Sequence, residues 1–145
     1  MGSGLNWDVL RMDEVILWKA EALIQLNRHS EALPLINNIR ARAARSTSLL
    51  KFADGTPTGK FDVQEYQPGT NCPAWTKDFA MQALRWERQL EFATEGKWFF
   101  DLVRWGIAAE YMNEYFIIEK TRRSHLQEAK FTKNRDEYFP IPQVQ

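Results

Sequence analysis

The amino-acid sequence predicts an all-α protein built from tetratricopeptide-like helical hairpins and one long irregular loop. Residues 7–27, 31–45 and 76–95 place apolar side chains three and four positions apart, which is the period of a helix. Only about two residues separate the first two of these segments, so their helices must pack antiparallel as a hairpin. Turn-forming glycines and prolines are concentrated in residues 46–75, which predicts the loop.

The first helix is expected from about Trp7 to Asn27, with a wide apolar face in contact with neighbours on two sides. One narrow stripe is polar and consists of Arg11, Glu14, Glu21, Gln25 and Arg28. The apolar face consists of Val9, Met12, Val15, Ile16, Ala20, Leu23 and Leu26. Trp18 falls inside the polar stripe, so it is expected to pack on a loop or on a further partner.

The second helix is expected over residues 31–45, with Ser30 as its N-cap. Its buried stripe consists of Ala32, Leu35, Ile36, Ile39 and Ala43. Small and aliphatic residues of the two helices have the spacing of one tetratricopeptide repeat, which allows close approach of the helices. The arginines near its C-terminal end complement the helix dipole. Because 19 basic residues balance 19 acidic ones, a nucleic-acid surface is not expected.

The loop of residues 46–75 is longer than a simple connector, and loops of that length are usually functional or disordered. Lys60–Val63 could form a short strand within it. Trp and Tyr rings join a flat apolar face to a polar tip, which suits stacking on a sugar ring. Trp75 and Tyr66 are therefore the ligand-binding candidates, although a loop aromatic can equally anchor its own loop. Glycan capture predicts that these rings face solvent, whereas a protein-docking scaffold predicts that they are buried.

The third helix is expected from Thr76 to Glu95. Its predicted core face consists of Phe79, Ala83, Trp86, Leu90 and Ala93. Glu87, Glu91 and Glu95 share one stripe at a spacing of four residues, where like charges repel. Cations are therefore expected to face them, from Arg88 and Arg104 nearby or from Arg11 and Arg40 far along the chain. Trp86, Trp98 and Trp105 are expected in the core.

Two more helices are predicted after Gly96, one over residues 98–105 and one over residues 108–120. The tail after Ser124 is polar and is expected to be irregular. Pro140 and Pro142 favour an extended end.

Catalytic and metal-binding motifs were not found in the sequence. His29 and His125 lie far apart, and neither has a glutamate three residues before it, as carboxylate-bridged metal sites in helical bundles require. The single cysteine, Cys72, excludes an intramolecular disulfide and a cysteine-cluster metal site. We therefore expect no enzyme activity, no metal and no cofactor. No apolar stretch approaches the length of a membrane span.

Residues 87–105 resemble the C-terminal signature of the SusD/RagB family, surface nutrient-binding lipoproteins of glycan-uptake systems. The matching residues are Glu87, Arg88, Glu91, Glu95, Gly96, Phe100, Asp101, Leu102, Arg104 and Trp105. Residues 11–22 resemble the family's R-x-x-E-V-x-L-x-x-A-E-A helix, and residues 138–142 resemble its closing F-P-I-P. Three matches in the same order make the resemblance specific, and it covers nearly the whole chain except residues 47–75.

The resemblance implies non-catalytic capture of a glycan or other nutrient at the outer-membrane surface, followed by delivery to a SusC-like TonB-dependent transporter. It implies that the matched residues determine the fold, since ligand residues vary among members. Family members are longer and carry export and lipidation signals, so we expect a C-terminal fragment of a lipid-anchored protein. Residues 1–4 look like a vector-derived remnant, and residues 5–145 are expected to form a single helical domain. The alternative is a helical-repeat scaffold that binds only proteins.

Overall fold

A computed structural model describes residues 10–139, and this part of the chain is helical without strands. Its five α-helices are α1 (Met12–Gln25), α2 (His29–Ser46), α3 (Lys77–Glu91), α4 (Lys97–Arg104) and α5 (Ala108–Glu119). Two 3-10 turns lie at Thr47–Leu49 and Ser124–Leu126. The chain divides between Glu91 and Phe92 into two compact units. The all-α prediction is confirmed, and the expected extended end at Pro140 and Pro142 lies outside the described residues.

A tight turn joins α1 to α2 and makes the two helices a hairpin. Asn27 adopts a left-handed conformation with φ 60°, the Arg28 N–H donates to Leu23 O at 2.8 Å, and the Asn27 N–H donates to Ile24 O at 3.1 Å. These two bonds form the Schellman motif that satisfies the last carbonyls of a helix. Because this turn is so short, α2 begins at His29, and the predicted N-cap role of Ser30 is wrong.

The buried face of α1 differs from the predicted one. Glu14 and Glu21 are buried, whereas Met12, Val15 and Trp18 are exposed. The apolar residues of the buried face are Leu17, Ala20, Leu23 and Ile24. A carboxylate is buried at tolerable cost only when it is paired. Glu14 meets this condition because Arg88 of α3 lies 3.7 Å from it. In α2 the expected burial of Ala32, Ile36 and Ile39 is confirmed.

Helix α3 ends four residues earlier than predicted. Thr94 and Gly96 both adopt left-handed conformations, with φ 71° and 75°, and this backbone cannot continue a helix. The helix buries Ala80, Ala83, Leu84, Glu87 and Arg88. The predicted core positions of Trp86 and Leu90 are wrong, because their side chains are 53% and 64% exposed.

The segment between α2 and α3 is irregular, as predicted. Its only regular pairings among the described residues are isolated bridges between Lys51 and Pro57 and between Pro68 and Cys72. The strand expected at Lys60–Val63 is not present. Residues 50–76 thus form the loop, which its contacts with α2 and α3 hold in place.

The second unit has its own small core, formed by Leu102, Ala108 and Phe131. Trp98 packs against this core and makes edge-to-face contacts with Trp105 at 5.8 Å and with Tyr111 at 5.6 Å between ring centroids. Helices α4 and α5 begin and end within one residue of the predicted positions. Among residues 10–139, the helices lack the length and apolar character that crossing a membrane would require.

Candidate functional site

The loop is attached to α2 through Asn37. Its side-chain Nδ2 donates to Tyr66 O at 3.0 Å, and the Tyr66 N–H donates to Asn37 Oδ1 at 2.8 Å. Asn71 shapes the loop further, since its Nδ2 donates to Glu65 O at 2.8 Å and its Oδ1 accepts from the Gln67 N–H at 2.8 Å. These bonds satisfy backbone groups that have no strand partner, so they fix the loop without regular structure.

The two ligand candidates from the sequence, Tyr66 and Trp75, lie side by side. Their ring centroids are 5.6 Å apart, and Phe79 of α3 packs edge-on against both rings at 6.0 and 5.6 Å. The Trp75 Nε1–H donates to His29 O at 2.8 Å. Both rings are half-buried, between the two extremes that the glycan and scaffold hypotheses predicted. Trp75 anchors the loop to the start of α2.

Arg40 connects the loop to α3. Its guanidinium lies 4.4 Å from the centre of the Tyr66 ring, donates through Nε to Gln64 O, and pairs with the buried Glu87 carboxylate. The Tyr66 hydroxyl donates to the same carboxylate at 3.4 Å. Burial raises the pKa of Glu87, and Arg40 opposes that shift. Burial, together with the Glu87 charge, raises the pKa of Tyr66.

Glu91 forms a second charged centre one turn further along α3. Arg11 donates to its carboxylate at 2.8 Å and to its backbone O at 3.0 Å, and Arg42 also pairs with the carboxylate. Asp13 accepts from Arg11 at 2.8 Å and lies 3.4 Å from Arg42. Cations from distant segments thus face the glutamate stripe, as the sequence predicted.

The remaining signature residues have other partners than those expected. Glu95 lies beyond the end of α3, so it does not extend the glutamate stripe, and Lys97 lies 3.7 Å from its carboxylate. Arg104 donates to Asp101 at 2.9 Å and stacks on Trp105 at 5.1 Å. The sequence did not indicate the contacts of Arg42, Asp13 and Asn37. Arg42 reaches Glu91, which is 49 residues away, and Asn37 reaches Tyr66, which is 29 residues away.

A polar cavity of about 290 Å³ opens between the loop and α2. Its lining consists of Arg40, Asp62, Gln64, Tyr66 and Asn71. Carboxylate, amide and guanidinium groups around an aromatic ring provide both donors and acceptors for hydroxyl groups. In the described part of the chain, no cluster of three or more His, Cys, Asp or Glu side chains could hold a metal ion. The donors and acceptors of the cavity lining suit a hydroxylated organic ligand.

Comparison with known proteins identifies the family. The sequence profile of the SusD family matches residues 1–145. No curated protein matches the chain. Because the profile match extends over all 145 residues, the chain belongs to the SusD family of proteins, which bind glycans and other nutrients at the cell surface.

Proposed function

We propose that this chain takes part in non-catalytic capture of a glycan at the cell surface and in its delivery to a SusC-like TonB-dependent transporter. The observation that carries the proposal is the SusD family match over residues 1–145. We propose also that the parent protein is held at the outer membrane by a lipid anchor. Within this chain, the polar cavity beside Tyr66 is the proposed contact with the glycan.

The arrangement of the loop supports this assignment. Tyr66 lines the cavity. Trp75 donates a hydrogen bond to α2, and this bond fixes the loop segment that contains Tyr66. A site whose side chains are held in place before the ligand arrives loses less conformational entropy on binding. Trp75 and Tyr66 therefore act together, Tyr66 at the cavity wall and Trp75 as support.

Calorimetric titration with a panel of soluble polysaccharides tests the proposal. We expect the wild-type chain to bind at least one of them and the Trp75→Ala variant to lose that binding. Trp86→Ala is the matched control, because Trp86 is an exposed tryptophan of α3 that lines neither described cavity. Equal binding by wild type and Trp75→Ala would place the glycan contact away from the loop, and no binding at all would remove it from this chain.

A protein-interaction scaffold is the second candidate, favoured by exposed apolar side chains on α1. Met12, Val15, Trp18 and Leu26 are all exposed, and together they form one side of the helix. Exposed apolar patches of this kind are one mark of a protein-interaction site. Co-purification of the transporter with wild-type protein tests both candidates. The double variant Met12→Ser, Leu26→Ser should still bind polysaccharide. If the transporter no longer co-purifies with it, the apolar side of α1 is the docking surface.

A further inference from the structure

A second cavity adjoins the polar one. It has a volume of about 320 Å³ and shares Arg40 and Asp62 with the first cavity. Its apolar lining consists of Ile39, Ala43, Val63 and Leu90. The two cavities therefore form one groove that is polar at one end and apolar at the other, with Arg40 and Asp62 where they meet.

The acidic side chains around the groove differ in their partners. Glu87 and Glu91, which line the apolar cavity, are paired with arginines. Asp62 accepts a hydrogen bond from Gln64 Nε2 at 2.7 Å through one carboxylate oxygen, and the cation Arg40 lines the same cavity. An anionic ligand would meet the Asp62 carboxylate and find Arg40 already paired with Glu87, whereas a neutral ligand would meet hydrogen-bonding groups and apolar surface.

We infer that this groove binds a neutral glycoside, whose hydroxyl groups occupy the polar cavity and whose apolar substituent covers Val63 and Leu90. The inference rests on the proposed function and specifies its ligand class. Asp62 accepts sugar hydroxyls and Asn71 lies beside them in the polar cavity. A carboxylate accepts such bonds about twice as strongly as a neutral group does. Leu90 offers an exposed apolar side chain to the substituent.

Titration with paired glycosides tests the inference. The probes are methyl and phenyl glycosides of glucose, galactose, mannose and xylose in both anomeric forms, measured by calorimetry with the whole chain. For at least one sugar we expect the phenyl glycoside to bind about tenfold more tightly than its methyl partner, since the ring buries apolar area. Binding of no phenyl glycoside at millimolar concentration, or equal affinities within every pair, would overturn the inference.

Two variants locate the site. Asp62→Ala should weaken both members of the pair by about tenfold, the loss typical of one hydrogen bond to a charged group. Leu90→Ser should remove the preference for the phenyl glycoside while the methyl glycoside binds as before. Both residues are exposed, so the fold should tolerate the changes. Wild-type behaviour of either variant would contradict the assignment.

Matched controls separate local from general effects. Glu65→Ala removes another exposed acid of the same loop, and Leu26→Ser removes another exposed leucine of a helix end. Both should bind like the wild type. One outcome is that the protein binds polysaccharides and yet shows equal affinity for phenyl and methyl glycosides, with no change in the Asp62→Ala and Leu90→Ser variants. In that case this inference fails and the proposed function stands. If the glycosides bind as expected but the transporter does not associate, the delivery step fails instead.

Discussion

The Asn37 side chain pairs with both backbone groups of Tyr66, 29 residues away, through hydrogen bonds of 3.0 and 2.8 Å. Asn113 makes the same pair of bonds with Phe131 in the second unit, at 2.9 and 3.0 Å. In each unit one helical asparagine therefore serves as the partner that a neighbouring strand would provide in a sheet. Irregular segments are fixed to helices by this arrangement.

Replacing Asn37 by Ala should lower the free energy of unfolding by about 1–3 kcal/mol, because it leaves two partly buried backbone groups of Tyr66 without their partner. Denaturation in urea measures the loss. Asn38→Ala is the control, since Asn38 is the exposed neighbour on the same helix. Equal stability of the two variants would mean that the loop is held by its aromatic contacts alone.

Replacing Arg11 by Ala should be more damaging than replacing Arg28 by Ala. Arg11 contacts both Asp13 and Glu91 and is only 22% exposed in its side chain, so we expect a loss of about 1–3 kcal/mol. Arg28 pairs with Glu31 at the surface, where solvent screens the charges, so its loss should not be measurable. Comparable unfolding midpoints for the two variants would argue against a stabilising role of the Glu91 centre.

The buried Glu87 predicts a specific dependence of stability on pH. Because its pKa is raised in the folded protein, the folded state holds the proton more tightly than the unfolded state does. The stability that this proton provides is fully present below the unfolded pKa and is lost as pH rises through the folded pKa. The free energy of unfolding of the wild type, minus that of Glu87→Gln, should therefore decrease as pH rises through the acid range.

Urea denaturation at a series of pH values measures this difference, and the Gln variant is the control because it lacks the titrating group. A difference that increases with pH would show that the pairing of Glu87 with Arg40 outweighs its burial, and that the folded pKa is lowered.

The left-handed residues after α3 should respond in opposite directions to substitution. Gly96→Ala should cost about 1 kcal/mol, because a side chain disfavours its φ of 75° even though no atom lies within 4 Å of the added carbon. Thr94→Gly should raise stability by about 0.5 kcal/mol, since relief of its left-handed strain exceeds the added chain entropy. Thermal unfolding measures the stability of both variants. If both lost stability by the same amount, the left-handed backbone would not be what decides the effect of these substitutions.

Helix type and order followed from the sequence because apolar spacing and turn residues are local signals. They predicted the hairpin, the short α4 and α5, and the buried stripe at Ala32, Ile36 and Ile39. The faces of α1 and α3 were mistaken because hydrophobicity alone assigns charged residues to the surface. Here Glu14 and Arg88 are buried together, while Met12, Trp86 and Leu90 are exposed.

The candidate site was predictable only in part. Tyr66 and Trp75 were identified because they are aromatic residues in a long loop, and the structure brings their rings together. Asn37 and Arg42 carry no comparable signal, since polar residues on a helix are usually solvated. Their partners, Tyr66 and Glu91, lie 29 and 49 residues away, so only the three-dimensional arrangement reveals the contacts.

The most direct test is two-dimensional NMR of nitrogen-15-labelled protein. The protein is titrated with a polysaccharide that binds in the calorimetric experiment. We expect the backbone amides of residues 62–67 and 69–71 and the side-chain amides of Gln64 and Asn71 to shift with added ligand, while the amides of α5 do not. Shifts confined to residues outside the loop, or spectra unchanged by every polysaccharide, would contradict the claim that this loop of the SusD family member contacts a glycan.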